Sequence, residues 1–225
     1  VSIVNIVNYC FNLTNTIFVQ RYVVSAIPSK SQAHRMLICA AFADGPTDLI
    51  CPETNRDIEA TARCLQALGA DIRRTVDGYR VTPIKHIPNN AVLSCGESGS
   101  TLRFMLPIVG ALGVDGLFQL EGRLPMRPLS PLWEEMERMG CTLTRPTDNT
   151  IRCTGKLRSG EYIIDGGVSS QFITGLIFAL VFLNEEKEIE KAKAAGGEIV
   201  SLGKRILRTE TASIAALAIC MFNIE

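Results

Sequence analysis

Three serine clusters stand in front of apolar runs with helical character, at nearly equal spacing along the chain. They are Ser29-Lys30-Ser31, Ser98-Gly99-Ser100-Thr101 and Ser169-Ser170-Gln171. Ser31 and Ser100 are 69 residues apart, and Ser100 and Ser170 are 70 apart. A spacing this regular predicts a fold built from repeated units. Because serine caps the free N–H groups of a helix start, the pattern also predicts several helix N-termini that share a phosphate-rich ligand.

Each repeat carries the pattern of a second helix and a strand pair. A helix capped by Asp57 ends at Gly69, and its counterpart over residues 131–139 ends at Gly140, 71 residues after Gly69. Alternating residues after each glycine predict hairpins. Further short strands are predicted at residues 23–26, 47–50, 92–93, 117–120 and 162–164. We therefore expect an α/β fold of β-α-β-α-β-β repeats, with two complete units and a partial or altered third.

The repeat loses its phase near residue 184, where the sequence becomes rich in Glu and Lys. A charged helix over residues 185–195 ends at Gly196-Gly197, 14 residues before the period predicts. A strand over residues 198–202 and a helix over residues 209–221 follow. We divide the chain into an unassigned segment at 1–22, a repeat domain at 23–184 and a charged helix-strand-helix tail at 185–225. The tail is a candidate for the altered third repeat.

Composition excludes several classes of function. The chain has 23 Lys and Arg against 23 Asp and Glu, so no overall field attracts nucleic acid or an anionic membrane. Eight scattered cysteines without a CxxC pair indicate a reduced, cytoplasmic protein. Two histidines are too few for a metal site of the usual kind. No apolar run reaches about 18 residues and no signal peptide is recognisable, so we expect no membrane span.

The first helix start carries the chemistry of a phosphate site. Lys30, Ser31 and Arg35 offer a point charge, a hydroxyl and a guanidinium fork within about one helical turn, which suits a phosphate monoester. A solvated helix start without a ligand is the alternative. The third helix start, at Ser169-Ser170-Gln171, offers neutral donors, with an ordinary N-cap as its alternative.

The second helix start follows a glycine-rich turn, in which Gly99 allows close backbone approach to a ligand and Arg103 lies on the first turn. A plain capping loop is the alternative. Arg123 and Arg127 stand four residues apart in a later loop, where surface solvation is the common explanation for an arginine.

Together these blocks resemble the EPSP synthase (3-phosphoshikimate 1-carboxyvinyltransferase) family, in its N-terminal domain, over residues of about 24–183. The most specific pieces are the run from Ile27 to Arg35, the block from Cys95 to Phe104, and Gly167-Val168-Ser169-Ser170-Gln171-Phe172. The resemblance implies transfer of the enolpyruvyl group of phosphoenolpyruvate to the 5-hydroxyl of shikimate 3-phosphate, in aromatic amino acid biosynthesis. It implies no metal and no cofactor. It also implies a second domain across a cleft, which this sequence lacks, so a separate second domain is expected as a physical partner.

The resemblance also implies roles for single residues. Lys30 is the implied catalytic residue and contacts both substrates. The implied shikimate 3-phosphate ligands are Lys30, Ser31, Arg35, Ser169, Ser170 and Gln171. The implied phosphoenolpyruvate ligands are Lys30, Gly99, Arg103, Arg123, Arg127 and Gln171. The loop from Gly122 to Arg127 is about two residues shorter than the family pattern. Alignment from the C-terminal side makes Arg123 the phosphoenolpyruvate arginine, whereas alignment by the shortened loop favours Arg127; of the two we favour Arg123.

Residues of about 186–222 have a second resemblance, to the C-terminal end of the SPOUT-class 16S ribosomal RNA uridine methyltransferases. The segment from Val200 to Ala212 carries it. About 35 residues cannot form that family's S-adenosylmethionine pocket alone. The alternatives to an incomplete synthase are therefore a non-functional chimera or an RNA methyltransferase fragment. The sister enolpyruvyl transferase of UDP-N-acetylglucosamine is disfavoured, because Ser31 follows Lys30 and the arginine loop has no cysteine.

Overall fold

The computed structural model describes residues 2–11, 17–26, 30–164 and 168–183, the first two ranges by their backbone. The chain divides into two compact units, residues 1–86 and 87–225. The elements of the first unit are β1 (Ser2–Phe11), β2 (Ile17–Ala26), α1 (Lys30–Ala41), β3 (Thr47–Ile50), α2 (Arg56–Ala67), β4 (Asp71–Arg74) and β5 (Gly78–Thr82).

The second unit repeats this order and adds one helix. Its elements are β6 (Asn90–Gly96), α3 (Gly99–Leu112), β7 (Asp115–Leu120), a 3-10 turn (Leu124–Met126), α4 (Leu132–Arg138), β8 (Cys141–Thr144), β9 (Thr150–Gly155) and α5 (Ser170–Leu180). The predicted β-α-β-α-β-β order is confirmed in both units, and α5 opens a third repeat. The elements predicted between residues 185 and 221 lie outside the described residues, as does the segment with the methyltransferase resemblance.

The two repeats share a hairpin topology and differ at their first strand. In the first unit β5 lies between β3 and β4, antiparallel to both, and in the second unit β9 lies between β7 and β8 in the same way. Strand β6 joins its sheet by pairing parallel with β7. Its counterpart β2 pairs antiparallel with β1, from Ser2 opposite Ala26 to Phe11 opposite Ile17. The predicted strand over residues 23–26 is therefore the end of a longer strand with a local partner.

The start of α2 corrects the predicted helix cap. The N-cap is Asn55, whose Oδ1 accepts hydrogen bonds from the backbone N–H groups of Asp57 and Ile58, each at 3.0 Å. Asp57 lies inside the first turn, where a carboxylate is stabilised by the helix dipole. Asn and Asp have nearly equal preferences for the N-cap, so the local sequence does not decide between them.

The strand predicted at residues 162–164 is absent from the described part of the chain. The backbone N–H of Ile163 donates instead to the Glu135 carboxylate, at 2.5 Å. That carboxylate also accepts two hydrogen bonds from the Arg138 guanidinium, at 2.7 and 2.8 Å, which hold the pKa of Glu135 below its usual range. The Glu135 side chain of α4 thus accepts the hydrogen bond from the Ile163 N–H, which a β-strand would use to pair with a neighbouring strand.

The core of the second unit is the contact between α3 and α5. Phe104 and Phe178 meet edge to face, with ring centroids 6.1 Å apart. Gly175 is buried against the backbone of α3, and a Cβ placed on it would overlap the carbonyl oxygen of Arg103. Among the described helices, none is long and apolar enough to cross a membrane. The thiols of Cys51, Cys141 and Cys153 are outside any disulfide bond.

We expect the close approach at Gly175 to make it the more sensitive of two buried helical glycines. Gly175→Ala should lower the free energy of unfolding by about 1–3 kcal/mol, because the obstructing atom belongs to the backbone of α3. Gly110→Ala is the matched control, since its Cβ would meet the side chains of Cys141, Met136 and Leu157, which can shift. Urea unfolding of both variants measures the difference, and an equal loss in both would contradict it.

His34 should make stability depend on pH. It is fully buried on α1, its Nδ1 lies 2.7 Å from the Thr61 hydroxyl, and burial followed by the charges of Lys30 and Arg35 lowers its pKa to about 4. Between pH 6.5 and about 4, His34 is therefore protonated in the unfolded chain and neutral in the folded chain. The free energy of unfolding should fall as pH falls through this window, by about 3 kcal/mol in total.

Urea unfolding at several pH values tests this expectation. The slope should flatten in His34→Gln and persist in His86→Gln, which changes the exposed second histidine. A His34→Gln variant with the parental slope would contradict the assignment.

Candidate anion-binding site

The start of α1 places a lysine beside a carboxylate. The Lys30 ammonium forms an ion pair with Asp57, which lies in the first turn of α2. The Lys30 side chain is half exposed and that of Asp57 is 26% exposed, so the pair is partly accessible to solvent. Two helix starts of the first unit are therefore joined by a charge pair. Sequence reasoning missed this role of Asp57, since a carboxylate in a first helical turn has the same pattern with or without a distant lysine.

Ser31 and Arg35 form a second contact on the same helix. The Arg35 guanidinium donates to the Ser31 carbonyl oxygen at 2.9 Å and to the Ser31 hydroxyl oxygen. Ser31 is exposed and Arg35 half-buried. The structure thus places the predicted phosphate residues Lys30, Ser31 and Arg35 within the first turns of α1, with a cation at either end of the motif.

The start of α3 has an internal cap that leaves its glycine open to a neighbour. Ser98 is the N-cap, and its buried hydroxyl accepts from the Thr101 backbone N–H at 3.2 Å and from the Thr101 hydroxyl at 2.8 Å. A Cβ placed on Gly99 would lie 2.8 Å from Nη1 of Arg127. The missing side chain of Gly99 is therefore what lets this guanidinium rest on the helix start.

A second guanidinium lies nearby, on the first turn of α3. Arg103 is half-buried, and its Cζ lies 5.2 Å from the centre of the Phe172 ring. Burial, and after it the positive charge of Arg127, lower the pKa of Arg103. The shift means that the protein destabilises the charged form of this arginine, so an anion placed between the two guanidinium groups would relieve both the desolvation and the repulsion.

Gln171 connects α5 to this cationic pair. Its side-chain oxygen accepts from Nη1 of Arg103 at 2.9 Å, and its side-chain nitrogen donates to the Ser100 hydroxyl at 2.8 Å. Ser169 is the N-cap of α5 and accepts from the backbone N–H of Gln171 at 3.3 Å. The chain from Arg103 through Gln171 to Ser100 fixes the starts of α3 and α5 relative to each other.

The remaining predicted residues have simpler settings. Ser170 is the exposed first residue of α5, and its carbonyl oxygen accepts from the Thr174 hydroxyl at 3.0 Å. Arg123 is exposed and precedes the 3-10 turn of the arginine loop. At Gly122, where φ is +54°, a Cβ would overlap the Glu97 carboxylate, which therefore lies on the loop backbone. The structure brings Arg127, rather than Arg123, to Gly99 and Arg103.

The second unit therefore offers two guanidinium groups, an oriented amide and a helix start, a combination that binds phosphate or carboxylate oxygens. The first unit offers an ammonium, a hydroxyl and a guanidinium at the start of α1. Over residues 30–164 and 168–183, no group of three or more His, Cys, Asp and Glu residues is placed to hold a metal ion.

The chain is similar to proteins of the EPSP synthase family. The profile of EPSP synthase (3-phosphoshikimate 1-carboxyvinyltransferase) matches residues 19–212. That range includes much of the segment with the methyltransferase resemblance. A 3-phosphoshikimate 1-carboxyvinyltransferase of Clostridium kluyveri is 39% identical over 168 residues, covering 72% of this chain and 39% of the relative. One of Clostridium beijerinckii is 36% identical over 171 residues, with the same shares of both chains.

A solved structure supports the fold. An EPSP synthase of Acinetobacter baumannii aligns with a TM-score of 0.58 at 19% identity, over 78% of this chain and 44% of that one. At this identity the likeness shows the α/β fold alone. The chain spans about two-fifths of the length of the curated relatives it matches. The profile match, which covers most of the sequence, together with the serine-led helix starts shows that the chain belongs to the EPSP synthase family.

Proposed function

We propose that this chain forms the substrate-binding part of an enolpyruvyl transferase that acts on phosphoenolpyruvate and shikimate 3-phosphate. The observation that carries the proposal is the pair of guanidinium groups, Arg103 and Arg127, held at the start of α3. Phosphoenolpyruvate has a phosphate and a carboxylate, so it can neutralise two cations at once. Clostridial relatives of this chain bear the name of the enzyme with that activity.

The two substrates divide the site residues between them. Phosphoenolpyruvate takes Arg103, Arg127 and Gly99, with Arg123 as the alternative arginine. Shikimate 3-phosphate takes Ser31 and Arg35 on α1, and Ser169 and Ser170 on α5. Gln171 and Lys30 serve both substrates. The amide of Gln171 suits this role, because its hydrogen bonds to Arg103 and Ser100 already fix its orientation.

Lys30 is the proposed catalytic residue, and Asp57 positions it. An ammonium can donate a proton to C3 of phosphoenolpyruvate as the 5-hydroxyl oxygen attacks C2 and gives its own proton to a base in the remainder of the synthase. The C–O bond to phosphate then breaks, inorganic phosphate leaves, and the new methyl group returns a proton to the neutral Lys30 amine. The ion pair with Asp57 restrains the flexible stem of this lysine. No metal or cofactor enters the proposed reaction.

The chain needs a physical partner for turnover, and the remainder of a synthase is the partner we propose. Because the chain spans about two-fifths of its relatives, the proposed reaction also requires the groups that the other part of those relatives supplies. A cytoplasmic site of action is part of the proposal, and the thiols of Cys51, Cys141 and Cys153, which form no disulfide, support it.

A methyltransferase-derived tail or a non-functional chimera is the competing proposal. It rests on the sequence from Val200 to Ala212 and on the composition change near residue 184. It predicts S-adenosylmethionine binding by the full chain, or binding of neither substrate. Calorimetry with S-adenosylmethionine and, separately, with shikimate 3-phosphate distinguishes it from the synthase proposal.

Complementation should show whether the chain is part of a synthase. We expect phosphate release from both substrates to be about a thousandfold slower with the chain alone than with a full-length relative, because groups on one side of the reaction are missing. Adding the separately expressed remainder of the Clostridium kluyveri enzyme should raise the rate. Turnover by the chain alone near that of the full enzyme would refute the need for a partner.

The same assay has an internal control. Lys30→Met in the complementing chain should lower the restored rate by about 10²–10⁴-fold, the usual contribution of a general acid. Lys85→Met changes an exposed lysine outside the proposed site and should leave the rate unchanged. Equal restored rates for the two variants would show that Lys30 has no catalytic role.

The two loop arginines give a direct test of the phosphoenolpyruvate site. Arg127→Gln should weaken phosphoenolpyruvate binding by about tenfold or more, through loss of a charge-assisted hydrogen bond, whereas Arg123→Gln should change it less. Calorimetry or an NMR titration in the presence of shikimate 3-phosphate measures both dissociation constants. A larger loss in Arg123→Gln would assign the contact to Arg123 and contradict the geometry at Gly99.

A further inference from the structure

Ser100 lies at the end of a hydrogen-bond chain whose direction is fixed by Arg103. Nη1 of Arg103 donates to the side-chain oxygen of Gln171 at 2.9 Å, and the side-chain nitrogen of Gln171 donates to the Ser100 hydroxyl oxygen at 2.8 Å. A guanidinium can only donate, so the amide oxygen must face Arg103 and the amide NH₂ group must face Ser100. The Ser100 oxygen is therefore an acceptor in this chain, and its own proton takes no part in it.

The proton of the Ser100 hydroxyl can be donated to an acceptor outside the chain. Within residues 30–164 and 168–183, the only hydrogen bond of this hydroxyl is the one that it accepts from Gln171. Ser100 is half-buried, so a molecule from solvent can reach it. Because hydrogen bonds in a chain polarise one another, a hydroxyl that accepts from the amide is also a stronger donor. The chain from Arg103 therefore ends in a polarised donor that is open to a ligand.

The position of Ser100 on α3 favours an anion as that ligand. Ser100 lies in the first turn of this fourteen-residue helix, where the first N–H groups have no partner within the helix and stabilise negative charge. The preceding residue, Gly99, is the one against which Nη1 of Arg127 lies, and Arg103 follows three residues later on the same face of the helix. A hydroxyl that donates outward therefore lies at a helix start that also holds two guanidinium groups.

We propose that Ser100 is a further substrate-binding residue, which donates its hydroxyl proton to a phosphate oxygen of the ligand at the start of α3. A phosphate has three terminal oxygens and can accept from Arg103, Arg127 and the hydroxyl at once, whereas a carboxylate has two. A neutral donor adds this contact without adding a third positive charge beside the two arginines. The identity of the ligand as phosphoenolpyruvate rests on the proposed function.

An NMR titration of the full chain with inorganic phosphate tests the contact. The backbone N–H signal of Gly99 reports binding at α3 separately from binding elsewhere. Ser100→Ala should weaken phosphate binding at this signal by about tenfold, through loss of a hydrogen bond to a charged group. Ser100→Thr keeps the hydroxyl and should bind phosphate within about threefold of the parental chain. Thr142→Ala, which removes an exposed hydroxyl on β8, is the matched control and should leave the affinity unchanged.

Titrations with the two proposed substrates separate a direct contact from an effect through Gln171. Because Gln171 is assigned to both substrates, a Ser100→Ala variant that only disturbs Gln171 weakens both. A direct contact instead weakens phosphoenolpyruvate, measured with shikimate 3-phosphate present, and leaves the affinity for shikimate 3-phosphate unchanged.

The outcomes distinguish the contact from the proposed function. Equal losses for the two substrates, or the parental phosphate affinity at Gly99 in Ser100→Ala, would refute the contact. A parental chain that binds phosphate at Gly99 but not phosphoenolpyruvate would contradict the proposed function, while the phosphate titration would still decide the role of Ser100. No phosphate binding at Gly99 in the parental chain would overturn the inference itself.

Discussion

The close contact between α3 and α5 is the constraint on which the second unit depends. Gly175 brings the backbone of α5 onto the carbonyl of Arg103, and the Phe104 and Phe178 rings close the same contact edge to face. At this distance a residue from the third repeat, Gln171, reaches a residue from the second, Arg103. The packing of α3 on α5 therefore fixes the geometry of the anion site, because it determines where the polar residues at the two helix starts lie.

The cations of the two units lie in opposite electrostatic environments. In the first unit Lys30 is paired with Asp57, so its charge is already compensated. In the second unit Arg103 is partly desolvated and repelled by Arg127, which lowers its pKa. A site that keeps two like charges close is preorganised for an anion, because the cost of assembling the cations is met on folding rather than on binding. The Lys30 ammonium, in contrast, already has a carboxylate partner, and a substrate anion binds to it in exchange for Asp57.

The helices and the repeat were predictable from the sequence because they depend on local signals that recur. Serine before an apolar run predicts the starts of α1, α3 and α5, and glycine after a run predicts the ends of α2 and α4, each to within a few residues. The α2 cap was wrong, since Asn55 and Asp57 satisfy the same local rule and only the Lys30 contact distinguishes them. The strand at residues 162–164 was wrong because a carboxylate from α4 takes the Ile163 N–H, and no local pattern records a partner 28 residues away.

The arginine loop shows the same limit for the site. Alignment of the loop from its two sides gives Arg123 or Arg127, and the structure places the Arg127 guanidinium against Gly99, after a 3-10 turn that separates the two arginines. Which arginine reaches the helix start depends on that turn and on the Glu97 carboxylate against Gly122. An alignment of the loop sequence shows neither the 3-10 turn nor the contact between Glu97 and Gly122.

The His34 environment narrows the choice of proton donor in the proposed reaction. His34 lies between Lys30 and Arg35 in the motif. An unperturbed histidine has a pKa that suits acid–base catalysis at neutral pH. Burial and the two neighbouring cations lower its pKa to about 4, so it is neutral at pH 7 and hydrogen-bonded to Thr61 inside the core. A neutral imidazole in that position cannot supply a proton to phosphoenolpyruvate. The Lys30 side chain, half exposed and paired with Asp57 at the helix start, has the access to solvent and substrate that the step requires.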